Sequence, residues 1–136
     1  LVLMWQIILT LNNFLIIDCI GKDDKLGLRI NKDFFIRNLK KKKNKNEDLI
    51  IELIDFLNTH KVMLDNSFAV IVNQGPGSFS AIRISLAVAK GLEIAKKVKL
   101  FGYKDIDLKA FSEENIERLL SKNLIEKKLI KPIYFS

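Results

Sequence analysis

An α/β fold with a mixed sheet follows from three features of this 136-residue chain. Short apolar runs bounded by turn residues recur at residues 14–18, 25–30, 33–39, 68–72 and 98–103, and read as five strands. Two longer segments, residues 47–58 and 80–97, carry apolar side chains at helical period. The spacing differs along the chain. The first three strands are separated only by short turns, which permits antiparallel pairing, whereas a full helix separates the last two, which is a βαβ unit with a right-handed crossover.

Each element has its own signal. Residues 14–18, Phe-Leu-Ile-Ile-Asp, read as a buried strand, and Asp23-Asp24 marks the turn after it. Residues 25–30 and 33–39 alternate as half-buried strands do. Lys40-Lys41-Lys42-Lys43-Asn44-Lys45-Asn46 is a charged, low-complexity loop. The first helix carries acids in its first turn and the second ends in Lys96 and Lys97, both in keeping with the macrodipole. Ser112-Glu113-Glu114 opens a last helix, with Ser112 as its cap.

Composition narrows the class. The size fits one domain with one core, and 49% apolar residues suffice to build it. A net charge of +7 favours nucleic acid, an acidic partner or an anionic surface, although lysine richness alone produces the same balance. Cys19 is the single cysteine, so an internal disulfide is excluded and a reducing, cytoplasmic setting is the natural expectation. Cys19 and His60 alone cannot build a metal site of the usual kind. Residues 1–11 are apolar but lack a basic n-region and a small-residue cleavage site, and are too short to span a bilayer. They read as an extra strand or a misplaced start, with no membrane attachment. The lysine loop has no interleaved aromatics for base stacking, so a solvated loop is the preferred reading over contact with nucleic acid.

The segment richest in chemistry is Gly75-Pro76-Gly77-Ser78-Phe79-Ser80, between the fourth strand and the second helix. Gly75 and Gly77 can take positive φ, Pro76 fixes its own, and Ser78 or Ser80 can cap the helix. With Ser80 as cap, Phe79 and Ile84 have the spacing of a hydrophobic staple. A glycine turn at a helix N-terminus is either an anion cradle or a tight packing corner. The Lys-Ser/Thr of a P-loop and the third glycine of a dinucleotide fingerprint are both absent, which favours the corner.

Gly75-Pro76-Gly77-Ser78-Phe79, then Arg83-Ile84, Ala87 and Ala89-Lys90-Gly91-Leu92, resemble the signature of the TsaB family, in the glycoprotease-like superfamily. The pattern departs at Ser80, where the family has Thr, and at Ala81 and Ser85, where it has Gly. Residues 14–18 are similar to the family's first strand, and Lys131-Pro132-Ile133-Tyr134-Phe135 resembles its C-terminal ending. The resemblance implies one actin-like, ribonuclease-H-like lobe with a mixed five-stranded sheet. It divides the chain into an apolar extension at 1–13, a TsaB-like lobe at 14–110, and a short helix and tail at 111–136 where the family has a second lobe. It also implies a non-catalytic subunit, without a cofactor, that supports a TsaD-like enzyme in threonylcarbamoylation of tRNA adenosine next to the anticodon. Asp18 sits where related kinases place a magnesium-binding acid, but Cys-Ile-Gly follows it, so it reads as a turn residue. No nucleophile–base pair stands at a recognisable spacing, against the superfamily's older protease naming.

Both helices have more apolar surface than one sheet can cover. The first spans an apolar arc of about 220°, against a stripe of about 100° on an ordinary surface helix. In the second, Ile84, Ala87, Val88, Gly91 and Ala95 share one face and Ile82, Leu86 and Ala89 lie nearly opposite. The small-residue face, with Leu53 or Phe56 of the first helix, is therefore expected to meet equivalent helices of a partner; the resemblance implies that this is a TsaD-like protein, and a second copy is the other candidate. The alternative is a small phosphate- or nucleotide-binding enzyme built on the Gly75–Ser80 loop.

Overall fold

The structure is a computed structural model that describes residues 12–39, 45–127 and 130–134. The apolar segment 1–11 and most of the lysine loop lie outside the described residues. Six strands form one sheet in the order β3-β2-β1-β4-β5-β6, with β1 Phe14–Asp18, β2 Lys25–Ile30, β3 Asp33–Asn38, β4 Ala69–Asn73, β5 Lys99–Tyr103 and β6 Ile125–Glu126. The helices are α1 Lys45–Thr59, α2 Phe79–Lys96, α3 Asp105–Leu108 and α4 Glu113–Ser121. The expected count of five strands is corrected by β6. It has only two residues, too few to show a period, and pairs antiparallel with β5.

The mixed sheet is as expected. β1, β2 and β3 pair antiparallel, and β1, β4 and β5 run parallel. Strand parity sorts side chains into two layers. Leu15, Ile17, Val70 and Val72 pack with Leu49, Leu53, Phe56 and Leu57 of α1 and Ile82, Leu86 and Ala89 of α2. Phe14, Ile16, Ala69, Ile71 and Tyr103 face the other way, against Leu108 of α3 and Ile116, Leu119 and Leu120 of α4. The second layer is tied at its rim by Arg29, which donates to Glu113 at 3.0 Å and Glu117 at 2.9 Å. Ser112 caps α4 as expected, its hydroxyl accepting from the Asn115 amide at 3.2 Å.

The rotation of α1 differs from the expectation. Leu53 and Phe56 are 1% and 2% exposed, inside the chain's own core, while Ile50, Ile51 and Ile54 face outward. Arg37 of β3 reaches α1 in this orientation, donating to Asp55 at 2.6 Å and Glu52 at 3.4 Å. His60, just past the end of α1, is half-buried. Its ring stacks on Phe35 at 4.0 Å and meets Phe56 edge-on at 5.3 Å.

Candidate functional site

The carboxyl ends of parallel strands are where open α/β sheets bind ligands. Here register brings three polar side chains to that edge. Ile17 pairs with Val72, so Asp18 and Asn73 are the next residues of adjacent strands, and Asn73 pairs with Tyr103. All three share the parity of the α3–α4 layer. Asn73 is fully buried and its amide is fully used. Nδ2 donates to Asp18 at 2.7 Å and to Asp105 at 3.1 Å, while Oδ1 accepts from the Gly75 amide at 2.8 Å. The Asp105 amide in turn donates to the Gly75 carbonyl at 3.0 Å. Asp18 is therefore a member of a buried polar bridge rather than a simple turn residue. Asn73 and Asp105 escape sequence reasoning because only the strand register shows that they meet.

The bridge is electrostatically uneven. Burial pushes the Asp18 carboxyl up to about 6, the neighbouring Asp105 and Asp24 add to the rise, and the Asn73 hydrogen bond opposes it. Tyr103 is pushed well above the usual phenol range by burial and by the same two acids, Asp18 and Asp105. Its hydroxyl approaches the cluster without closing a well-formed hydrogen bond. Cys19 is buried, which raises its thiol far above the ordinary range. Among the described residues no group of three or more metal-ligating side chains occurs.

The glycine loop is filled by the chain itself. A Cβ on Gly77 would lie 2.6 Å from the Ile20 carbonyl oxygen, and one on Gly75 would lie 2.7 Å from that of Ile133. The Gly75 φ of +99° adds a second reason for glycine there. The Ser78 amide donates to the Ile20 carbonyl at 2.7 Å. Two glycine faces thus meet carbonyl oxygens, the wrong polarity for a phosphate, and two amides of the loop are already bonded. The arrangement is that of a packing corner. Pro76 is half-buried in it, and the Gly75–Pro76 peptide is cis.

Local details of the helix start depart from the expected cap. α2 begins at Phe79 with Ser78 in the N-cap position, but the Ser78 side chain makes no capping bond. Phe79 is therefore the first helical residue, and the staple with Ile84 does not form. Instead Phe79 is 56% exposed and stacks on Tyr134 at 4.8 Å, with Arg83 over its ring at 5.1 Å. Ser85 is buried and donates to the Cys19 carbonyl at 2.7 Å and the Ala81 carbonyl at 2.9 Å.

The two faces of α2 are separate. Ala81, Ile82, Ser85, Leu86 and Ala89 face the sheet. Ala87, Gly91 and Ala95 are exposed, Ile84 and Val88 are half-buried against the core, and a Cβ on Gly91 would meet no atom within 4 Å. Ile94, at 70% exposure, also faces outward.

No protein-family model and no curated protein sequence matches the chain. Solved structures do match its fold. YeaZ from Pseudomonas aeruginosa is similar with a TM-score of 0.64 and 20% identity, over 71% of this chain and 46% of that one. A second structure, described as an uncharacterized protein with similarity to peptidase YEAZ from the same organism, matches with the same score and identity over 71% and 45%. The chain thus spans less than half the length of these structures, and over that part its mixed sheet with flanking helices has the fold of YeaZ.

Proposed function

We propose that this chain is a non-catalytic, cytoplasmic subunit that binds a TsaD-like enzyme and supports threonylcarbamoylation of tRNA adenosine. The TsaB-like signature and the YeaZ-like fold agree on the family of functions. The observation that carries the docking mode is Gly91. It stands in the middle of an 18-residue helix, where glycine is about 1 kcal/mol less favourable than alanine, yet the space beyond it is open. Nothing among the described residues requires glycine there, whereas close approach of a second backbone would.

The docking surface on this reading is the outward side of α2, with Ala87, Gly91, Ala95 and the rims of Ile84 and Val88. The share of α1 is Ile50, Ile51 and Ile54, replacing the buried Leu53 and Phe56. The test is co-purification with a TsaD-like protein from the same cell. Gly91→Leu should abolish capture while the isolated chain still unfolds cooperatively, at a midpoint no lower than that of the wild type, and Gly91→Ala should weaken capture less. Capture by Gly91→Leu at wild-type level would sink the docking mode. Titration with ATP tests the enzymatic alternative on the Gly75–Ser80 loop. The filled loop leads us to expect no saturable binding, and turnover lost in Asp18→Ala would overturn the subunit reading.

A further inference from the structure

We propose that residues 130–134 act as a releasable strap that holds the Gly75–Ser80 loop and the first turn of α2 in place. The proposal stands on the geometry of this segment and does not depend on the subunit reading.

Three kinds of contact converge on the loop from one short stretch. Ile130 is 3% exposed and anchors the segment in the α1–α2 core layer. Gln74 is then gripped from both its backbone and its side chain. The Ile133 amide donates to the Gln74 carbonyl at 2.8 Å, and Gln74 Nε2 donates to the Lys131 carbonyl at 3.0 Å. Beyond them Tyr134 stacks on Phe79, the first residue of α2, with the planes inclined by 29°. The Ile133 carbonyl passes so close to Gly75 that a Cβ there would lie 2.7 Å from it. The strap therefore touches the loop before, at and after its glycines.

Its own hold is light. The segment has no helix or strand geometry, Pro132 and Ile133 are only half-buried, and Lys131 and Tyr134 are exposed. One buried anchor, two hydrogen bonds and one surface stack give it fewer ties than any central strand, so it opens at lower free energy than the sheet does. Release would bare the Gln74 carbonyl and amide together with the Phe79 ring. The Gln74 Oε1 atom is buried and unpartnered even with the strap in place, so this joint is not fully satisfied when closed.

Hydrogen exchange on the full chain tests this. The readouts are the Ser78 amide, bonded to the Ile20 carbonyl, and the Ile82 amide, bonded to the Ser78 carbonyl. Tyr134 is exposed, so Tyr134→Ala should remove the stack without unfolding the chain. We expect Ser78 and Ile82 to exchange about three- to tenfold faster, the Ile16 and Ile71 amides to be unchanged, and Tyr134→Phe to behave as wild type. Ile133→Pro, which deletes the donor to Gln74, should give a larger increase at the same amides. Unchanged exchange at Ser78 and Ile82 in both Tyr134→Ala and Ile133→Pro would overturn the strap, because the segment would then ride on the loop without holding it. Faster exchange at Ile16 and Ile71 to the same degree would also overturn it, by making residues 130–134 part of the global core.

Discussion

Replacing Asp18 with asparagine should make this protein more stable at neutral pH, although it removes a charged residue from the most conspicuous polar cluster. Asp18 has a carboxyl raised from 3.8 to about 6 in the folded state, chiefly by burial. The folded chain thus holds this proton more tightly than the unfolded chain, and the group favours folding most at pH below about 4. That contribution is lost as pH rises towards 6, and at pH 7 the ionised, buried carboxylate opposes folding. A gap of about two pH units corresponds to roughly 3 kcal/mol at 1.36 kcal/mol per unit. Asparagine has the same shape, keeps an oxygen to accept the 2.7 Å bond from Asn73, and carries no charge beside Asp105. Asp18→Asn should therefore gain about 1–3 kcal/mol in urea unfolding at pH 7, with a smaller gain at pH 4. The difference between variant and wild type, followed from pH 4 to 7, isolates this group from the other carboxylates. A variant less stable at pH 7, or a difference that does not change with pH, would refute the electrostatic account of the bridge.

Two further outcomes follow from buried groups. Ser85→Ala should lose about 1–2 kcal/mol in denaturant unfolding, because the Cys19 carbonyl loses its 2.7 Å donor in a buried setting; a change within 0.3 kcal/mol would show that another donor replaces it. Cys19 should resist alkylation by iodoacetamide at pH 8 in the folded protein and react once urea unfolds it, since its thiol is buried and raised. Rapid labelling of the native chain would contradict that burial.

Much of the sheet was legible because its signals are local. Residues 14–18 and 68–72 are continuous apolar runs, and the structure uses both faces of each strand, as such runs require. What escaped depends on contacts distant in sequence. Asn73 is one polar residue at a strand end, and its bridging role exists only because Ile17 stands beside Val72 and Asp105 follows β5. The two-residue β6 and four-residue α3 are shorter than any period that could announce them. The rotation of α1 was misread for a different reason. An apolar arc of about 220° fixes that two sides are apolar but not which side meets the sheet. The choice shows only in the fold, where Leu49, Leu53, Phe56 and Leu57 pack into the core and Arg37 reaches Asp55 and Glu52 from β3.

That rotation bears on what covers the outward surface. It leaves Ile50, Ile51, Ile54 and Ile94 at 46%, 61%, 50% and 70% exposure. Covering the open part of each is worth about 1 kcal/mol, since fully burying such a side chain gives about 1.5–3 kcal/mol. Four of them supply roughly 4 kcal/mol, and in a symmetric pair of chains roughly twice that. Association itself costs about 4–15 kcal/mol in lost freedom before any ordering of side chains. A second copy, bringing only the same isoleucines and the same small residues, is therefore expected to form at most a weak dimer. A tighter complex needs large anchors from a different surface, and the open space above Gly91, flanked by Ala87 and Ala95, is where such an anchor or a closely packed helix can sit. If the chain docks as proposed, the heteromeric contact should outcompete the self-contact, and sedimentation velocity of the chain alone should show a dimer only at high concentration. A homodimer that persists at nanomolar concentration and is not displaced by a TsaD-like protein would reverse the order.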